Sequence, residues 1–465
     1  MYQLSKTINK DKIFIIKKSE IDGRLDPKMA LYNQSVQHAL YPMVKLKSLL
    51  LSKPQYGANE ASITRDNNEQ PRYIRITDID ENGLISPDEL GATVANLDDK
   101  YILNENDIVI ARSGATVGKA YIHKNLPYTC VYAGYLIRFI VDSKKILPDY
   151  LFAYTQLNTY KEWVNAIQRP SAQPNINAEE YQSLEIPLPN LSKQQEVAGY
   201  INTAYAQKRA KEVEAQQLLD SIDDYLLKEL GITMPKIQTD IDSRIFIVQK
   251  KDLRGRYTPN LYKDAVTLHS TIYENVPLSH LAYINPNTRF PNRSKEMLIS
   301  FVPMESVNEI YAEITGHNDC IIEESKGFTR FQEGDLLWAK ITPCMENGKS
   351  AIAERLTNGY GCGSTEFHVI RPKNEDLLIE YIHSLLHMKL VRQTAKLYFG
   401  GSAGQQRVAV DFLEDFNVPL PSREKQKEII DHIAYIRTRA KSLQEEGKNI
   451  LDDAKRQVEQ MIIGY

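Results

Sequence analysis

The chain has 465 residues, 42% hydrophobic and 25% charged, with a formal net charge of −3 and a pI near 6.4. That length exceeds one ordinary domain, and that composition excludes a disordered chain, so two or more folded cores in a soluble protein are expected. The charge balance lacks the basic excess of a simple nucleic-acid binder, so any DNA contact has to rest on local clusters of Lys and Arg. Cys130, Cys320, Cys344 and Cys362 form no C-x-x-C pair, which points to reduced thiols in a cytosol. Met1 to Lys12 is polar, and no run approaches the ~18 apolar residues of a membrane span, so an intracellular, cytoplasmic protein is expected.

In chain order, the first apolar block is Ile13-Phe-Ile-Ile-Lys-Lys-Ser-Glu-Ile-Asp-Gly-Arg24. It returns as Ile245-Phe-Ile-Val-Gln-Lys-Lys-Asp-Leu-Arg-Gly-Arg256, an offset of 232 residues (245 − 13). Val44-Lys-Leu46 returns as Val276-Pro-Leu278, and Pro187-Leu-Pro189 as Pro419-Leu-Pro421, both at the same offset. Lys193-Gln194 is matched in the same way by Lys425-Gln426. Between these anchors, Asn106-Asp107 matches Gly334-Asp335 and Gly118-Lys119 matches Gly348-Lys349, with small compensating insertions. A period this long is a duplicated domain, not a solenoid repeat.

Each half opens with a β-rich region. Tyr73–Ile76, Ile108–Ile110 and Tyr135–Ile140 read as strands in the first half. Leu298–Val302, Leu336–Trp338 and Phe367–Ile370 do so in the second. Helical patches follow at 150–167 and 376–395, then polar loops rich in Gln, Ser and Gly or Pro. The Pro-Leu-Pro segments give a stiff, extended entry to what comes next.

What comes next, in both halves, is a long helix. Ser192 with Gln195 fits a capping box, and Ser422 is an N-cap candidate. The second helix carries apolar or small residues at Ile429, Ile433, Ile436, Ala440, Leu443, Gly447, Ile450, Ala454 and Met461, the spacing of a coiled-coil seam. The first shows Val197, Ile201 and Ala204, then Lys208 and Lys211, then Ala215, Leu218, Ile222 and Tyr225. Each holds about 38 residues, or about 55 Å of rod, too long to bury its stripe against its own small domain. The expected partner of each is the other, antiparallel. Gly447 marks a candidate bend.

No catalytic template survives its context. Arg112 to Ala120 resembles a phosphate loop, but its glycine spacing is one residue short and Ala120 replaces the magnesium-binding hydroxyl. Gly348-Lys-Ser350 has the right ending, with Pro343 where the first glycine belongs. Both glycine–lysine pairs read better as hairpin closures whose lysine is free to meet a phosphate. His383 and His387 share a helix face without a recognisable third metal ligand. Gly400-Gly-Ser-Ala-Gly404 matches a nucleophile elbow in letters only, because a helical patch precedes it instead of a strand.

The polar loops suit DNA better. One contains Gln168, Arg169, Ser171, Gln173 and Asn175; its counterpart contains Ser402, Gln405, Gln406 and Arg407. Gln, Asn and Arg make paired hydrogen bonds to adenine and guanine edges, while Ser, Thr, Lys and exposed amides suit phosphates. Further candidates are Arg65, Arg72, Arg112, Ser113 and Lys119 in the first half, and Arg289, Arg293, Lys340, Thr342 and Lys349 in the second.

Two variable β-rich units, each closed by P-L-P-x-x-x-x-Q-x-E (Pro187 to Glu196; Pro419 to Glu428) running into a long helix, resemble the specificity subunit of Type I restriction-modification enzymes. Asn106-Asp-Ile-Val-Ile-Ala-Arg112 and Gly334-Asp-Leu-Leu-Trp-Ala-Lys340 are similar to pieces of that family's target-recognition domains. The resemblance implies an α+β chain. Two β-rich target-recognition domains (1–190 and 234–421) are separated by two long spacer helices (191–233 and 422–465) pairing as an antiparallel coiled coil. It further implies that each domain reads half of a split site in double-stranded DNA, and that the helices set the gap between the halves. Methyltransferase subunits, two of them, would dock there and methylate a flipped adenine, and restriction and translocase subunits would join the complex. S-adenosylmethionine and ATP would then sit on those partners; the chain itself would hold no cofactor, no metal and no catalytic residue. The alternative from another class is a coiled-coil adaptor joining two ligand-binding modules without DNA. A third possibility is a system whose methyltransferase and nuclease share one partner chain.

Overall fold

Val44 and Val276 lie in matching strands. Met43–Lys45 runs antiparallel to Glu185–Pro187 with Val44 opposite Ile186, and Glu274–Pro277 runs antiparallel to Asn417–Leu420 with Val276 opposite Val418. Each pair ties the start of a half to its Pro-Leu-Pro exit. The computed structural model describes residues 27–85, 90–168, 174–232, 268–290, 295–401 and 405–464. The repeat blocks Ile13 to Arg24 and Ile245 to Arg256 lie outside them. The chain divides into two units, Met1–Lys211 with Glu445–Tyr465, and Glu212–Gln444.

In the first unit one antiparallel sheet takes the order Gln55–Tyr56, Leu136–Phe139, Ile108–Ala111, Ala120–Ile122. Ile108–Ala111 is buried throughout, because its two faces serve two cores. Alternation sends Ile108 and Ile110 into the helical core with Tyr150, Tyr154 and Trp163, and Val109 and Ala111 toward Ile74, Tyr121 and Tyr132. The second sheet, Ser62–Thr64, Ala92–Val94, Arg72–Ile74, Cys130–Tyr132, contains a parallel pair with Arg72 opposite Cys130.

The second unit repeats the scheme. Its first sheet runs Ala282–Ile284, Phe367–Pro372, Leu336–Ala339, Ser350–Ile352. Leu336 and Trp338 enter the helical core, where Trp338 stacks on Phe412 at 5.8 Å, while Leu337 faces Val302 and Phe331. The other sheet, Asn318–Ile321, Leu298–Val302, Tyr360–Gly363, Thr329–Gln332, again holds one parallel pair, Leu298–Val302 beside Tyr360–Gly363. Here the parallel pair is central, whereas in the first unit it reaches the sheet edge. The duplication keeps the pairing and varies its flanks.

The helical patches are each two helices: Pro148–Thr155 and Asn158–Ile167, then Ile379–His387 and Lys389–Lys396. The long helices are Leu191–Glu229 and Arg423–Ile462. Ser422 caps the second, its hydroxyl accepting from Lys425 N. The first is capped by Asn190, whose side chain accepts from Lys193 N at 2.9 Å, so the expectation of Ser192 as the cap is corrected by two residues.

Within the first unit the two helices run antiparallel. Tyr200 bonds Gln457, Lys208 lies against Gly447, and Lys211 pairs with Glu446 at 2.8 Å. A Cβ at Gly447 would sit 3.3 Å from the Lys208 carbonyl oxygen, so this glycine serves close helix approach, and the helix continues through it without a break. The buried apolar residues of the second helix at this end are Leu451, Ala454, Val458 and Ile462, with Ile450 and Met461 on the flank. Within the second unit Ala215 meets Ala440 and Leu443, Tyr225 packs on His432 with ring centroids 4.2 Å apart, and Glu229 pairs with Lys425. The lysine pair expected mid-seam is thus accommodated by a glycine and a glutamate.

Each unit also borrows a carboxylate from a long helix to cap a domain helix. Glu459, buried, accepts from Thr159 N at 2.6 Å and from its hydroxyl at 2.9 Å, at the start of Asn158–Ile167. Asp223 accepts from Lys389 N at 2.9 Å at the start of Lys389–Lys396. An anion at a helix N-terminus is favoured by the unsatisfied amides and the helix dipole. Glu459→Ala is expected to cost about 1.5–3 kcal/mol, the range for hydrogen bonds to a charged group. Hydrogen exchange checks it: amides of Asn158–Ile167 should lose protection before those of the sheets. Uniform loss, or none, would place the cap's contribution elsewhere.

Candidate functional site

In the first unit the strand Ile108–Ala111 exits into Arg112 and Ser113, and the polar loop returns to meet it. Ile176 N donates to Arg112 O at 2.8 Å, Gly114 N donates to Pro174 O at 3.1 Å, and Ser113 bridges Asn175. In the second unit Leu336–Ala339 exits into Lys340 and Ile341. Val408 N donates to Lys340 O at 2.9 Å, Thr342 N donates to Gln406 O at 3.0 Å, and Ile341 bridges Arg407. These bonds match one for one. Each half therefore builds the same polar cluster from two segments about 60 residues apart, but dresses it differently.

The first cluster presents Arg112, Ser113 and an exposed Asn175, with Gln168 ending the helix Asn158–Ile167 in an extended conformation. The Arg112 guanidinium lies over Tyr56, 5.0 Å from the ring centroid, and the Tyr56 hydroxyl accepts from Ala178 N. The second cluster presents Lys340, Gln405, Gln406 and Arg407, with Gln405 and Arg407 exposed. Arg407 forks onto Glu366, Nε to Oε2 at 2.9 Å and Nη2 to Oε1 at 2.7 Å, and Nη1 donates to Gln405 O at 3.0 Å. That pairing holds the Glu366 carboxyl below its ordinary range. The Thr342 hydroxyl is taken by Glu346, which is also paired with Lys396. Arg289 is exposed beyond the edge strand Ala282–Ile284. Arg169, Ser171, Gln173, Arg293 and Ser402 lie outside the described residues.

Four sequence candidates sit where they serve the fold. Arg65 is 1% exposed, donating to Gln70 O and Leu90 O with its guanidinium over Tyr128. Arg72 is fully buried and donates to the Tyr128 hydroxyl at 2.9 Å. Neither side chain faces solvent, which argues against a base contact. Lys119 donates to Ile79 O, and Lys349 donates to Val307 O at 2.8 Å with Glu309 3.3 Å away. The expectation of lysines free for a phosphate is corrected: each ammonium pins the short turn after a strand, at matching places. Gly118 and Gly348, at φ +89° and +92°, do close the turns between paired strands. Reading the sequence missed Glu366 and Tyr56, since nothing local ties a glutamate to an arginine 41 residues on.

His383 and His387 are also accounted for. His383 Nε2 meets Ser350 Oγ and His387 Nε2 meets Glu309 O, each at 3.0 Å. Burial pushes both imidazoles down, His387 to about 3, so both are neutral, His383 within the core and His387 half-buried beside it. Among the described residues no group of three or more His, Cys, Asp or Glu could hold a metal, and no helix is long and apolar enough to cross a membrane.

The model of the Type I restriction modification DNA specificity domain matches this chain twice, over residues 55–222 and 273–450. The chain belongs to the Type I restriction-modification DNA specificity family. Each match to this family contains one complete polar cluster and most of one long helix, so the duplication read from the 232-residue offset is a duplication of the specificity domain. Among specificity-family relatives, the EcoEI specificity subunit of Escherichia coli is 35% identical over 196 residues, and the EcoAI specificity subunit is 33% identical over 196. Each alignment takes in 41% of this chain and 32% of the relative, so the match spans about a third of the length of these curated relatives. Solved structures that align along most of the chain include a chain from a study of type I R-M complex assembly and conformational transition (14% identical, TM-score 0.49, 90% of this chain and 96% of that one). Another is the HsdS subunit of Thermoanaerobacter tengcongensis (14%, TM-score 0.37, 91% and 97%).

Proposed function

We propose that this chain is the DNA sequence-specificity subunit of a Type I restriction-modification complex and carries no chemistry of its own. The observation behind this reading is the polar cluster built twice by matched backbone hydrogen bonds with different side chains in each copy. A conserved frame holding different donors and acceptors is what reading two different half-sites requires. Residues 1–190 and 234–421 act as the target-recognition domains, and 191–233 and 422–465 as spacers that set the distance between half-sites. Arg112, Ser113, Gln168 and Asn175 read or position the first half-site, and Lys340, Gln405, Gln406 and Arg407 the second. Two methyltransferase subunits dock on the helices, supplying adenine methylation and much of the electrostatic grip that a chain of charge −3 lacks. Restriction subunits complete the complex in the cytoplasm.

The test is methylation mapping of genomic DNA from a host expressing this chain with its partner methyltransferase. A split, adenine-methylated motif should appear, vanish when the chain is omitted, and change in one half when residues 1–190 are exchanged for those of a relative. Absence of both methylation and a stable complex with the methyltransferase would overturn the reading.

A further inference from the structure

The fork between Arg407 and Glu366 already meets the charge of a residue offered to DNA. An arginine free to swing settles on the nearest phosphate and adds affinity that is the same for every sequence. Arg407 is tethered instead. Its backbone is paired on one side with Gly400 and bridged on the other to Ile341, while its side chain is forked onto Glu366. Glu366 is fixed in turn, directly preceding the strand Phe367–Pro372, with its carbonyl accepting from Lys340 N at 2.9 Å. The carboxylate also repels any phosphate approaching that edge. A guanidinium has five N–H donors, and the bonds to Glu366 and Gln405 O use three, leaving one on each terminal nitrogen. A pair of donors and no acceptor fits the O6 and N7 acceptors of guanine; adenine offers a donor at N6 instead.

Building on the specificity reading above, we propose that Glu366 is a positioning residue that locks Arg407 to read one guanine in the half-site of the second unit. At the matching positions the first unit has no such pair. Its matching positions, by the same backbone bonds, are Tyr135 and Asn175, so the two units read chemically different half-sites.

The experiment uses the full chain in complex with its partner methyltransferase. A randomised double-stranded DNA pool yields the preferred site, and binding to that site and its single-base variants is then titrated across a salt series. One guanine in one half-site should be preferred by about 10- to 100-fold, the range of a bidentate arginine contact. Arg407→Ala and Arg407→Lys should both lose that preference and keep those at other positions, since lysine retains the charge without the fork. Glu366→Gln should weaken the same preference about tenfold and steepen the salt dependence by about one phosphate contact, as the released arginine turns to the backbone. Melting curves for each variant separate these effects from unfolding. If Arg407→Ala weakens all sequences equally and flattens the salt slope, Arg407 is a phosphate contact and the proposal falls. It falls equally if Glu366→Gln leaves every base preference unchanged. A wild-type complex that selects no sequence overturns the specificity reading as well, and is told apart by the absence of any preferred site.

Discussion

Gln426→Ala is expected to destabilise the second unit by about 2–4 kcal/mol, because it strips three bonds from a buried position while water recovers part of the loss. Gln426 is 1% exposed and lies in the first turn of the helix Arg423–Ile462. Its Oε1 accepts from Leu378 N at 2.9 Å, and its Nε2 donates to Asp376 O at 3.0 Å and Pro421 O at 3.1 Å. One side chain therefore ties the start of the long helix to the start of Ile379–His387 and to the proline before its own cap. Gln194 does the same in the first unit, to Leu147 N, Lys145 O and Pro189 O. This is the physical content of the P-L-P-x-x-x-x-Q motif: the prolines set an extended entry and the glutamine welds it to the domain. The two sites share no partner, so the costs of Gln194→Ala and Gln426→Ala should add. Because a chain of two units need not unfold in one step, hydrogen exchange is the better measurement than a single melting curve. Protection should fall around 378–387 in one variant and 147–155 in the other. A loss below about 0.5 kcal/mol would show that the motif marks ancestry and not a weld, since surface-like substitutions fall in that range.

The glutamine pair also shows which parts of the molecule can be read from a sequence. The duplication was legible because identical local demands recur at one offset, and the long helices because their apolar spacing repeats over many turns. The strand Ile108–Ala111 was legible because four consecutive apolar residues leave little choice. What local pattern cannot supply is a partner distant along the chain. Asn190 and Ser192 are both good caps, and only the bonds made by Gln194 decide where the helix begins. Lys119 looks like a hairpin lysine in solvent until the carbonyl of Ile79, 40 residues earlier, is in place. Arg65 and Arg72 look like DNA contacts until Tyr128 arrives beneath them. The polar cluster itself lay half in view. Its loops were recognisable by composition, but the meeting of Ser113 with Asn175 and Ile341 with Arg407 is a long-range event.

Arg371→Met should be the more damaging change, at about 3–5 kcal/mol, because it leaves a buried carboxylate without its counter-charge. Asp335 is 1% exposed, and both its oxygens are bound by Arg371, Nε to Oδ1 at 2.7 Å and Nη2 to Oδ2 at 2.7 Å. Oδ2 also accepts from Gln332 N at 2.8 Å, so the pair closes the turn that leads into Leu336–Ala339, the strand whose exit carries the second polar cluster. Removing both charges together, as Asp335→Asn with Arg371→Met, should recover much of the loss, since the cost lies in the orphaned charge more than in the absent bridge. The first unit meets the same problem less fully. Its aspartate, Asp107, lies 3.5 Å from Arg138, which spends its donors on Ile102 O and Gln55, and burial raises the Asp107 carboxyl above its ordinary range. Arg138→Met should therefore cost the first unit less than Arg371→Met costs the second. Urea unfolding followed by unit-specific exchange would rank the two. Equal losses would mean that Asp335 finds another partner, and the tight fork in the second unit would then be a consequence of the fold and not one of its supports.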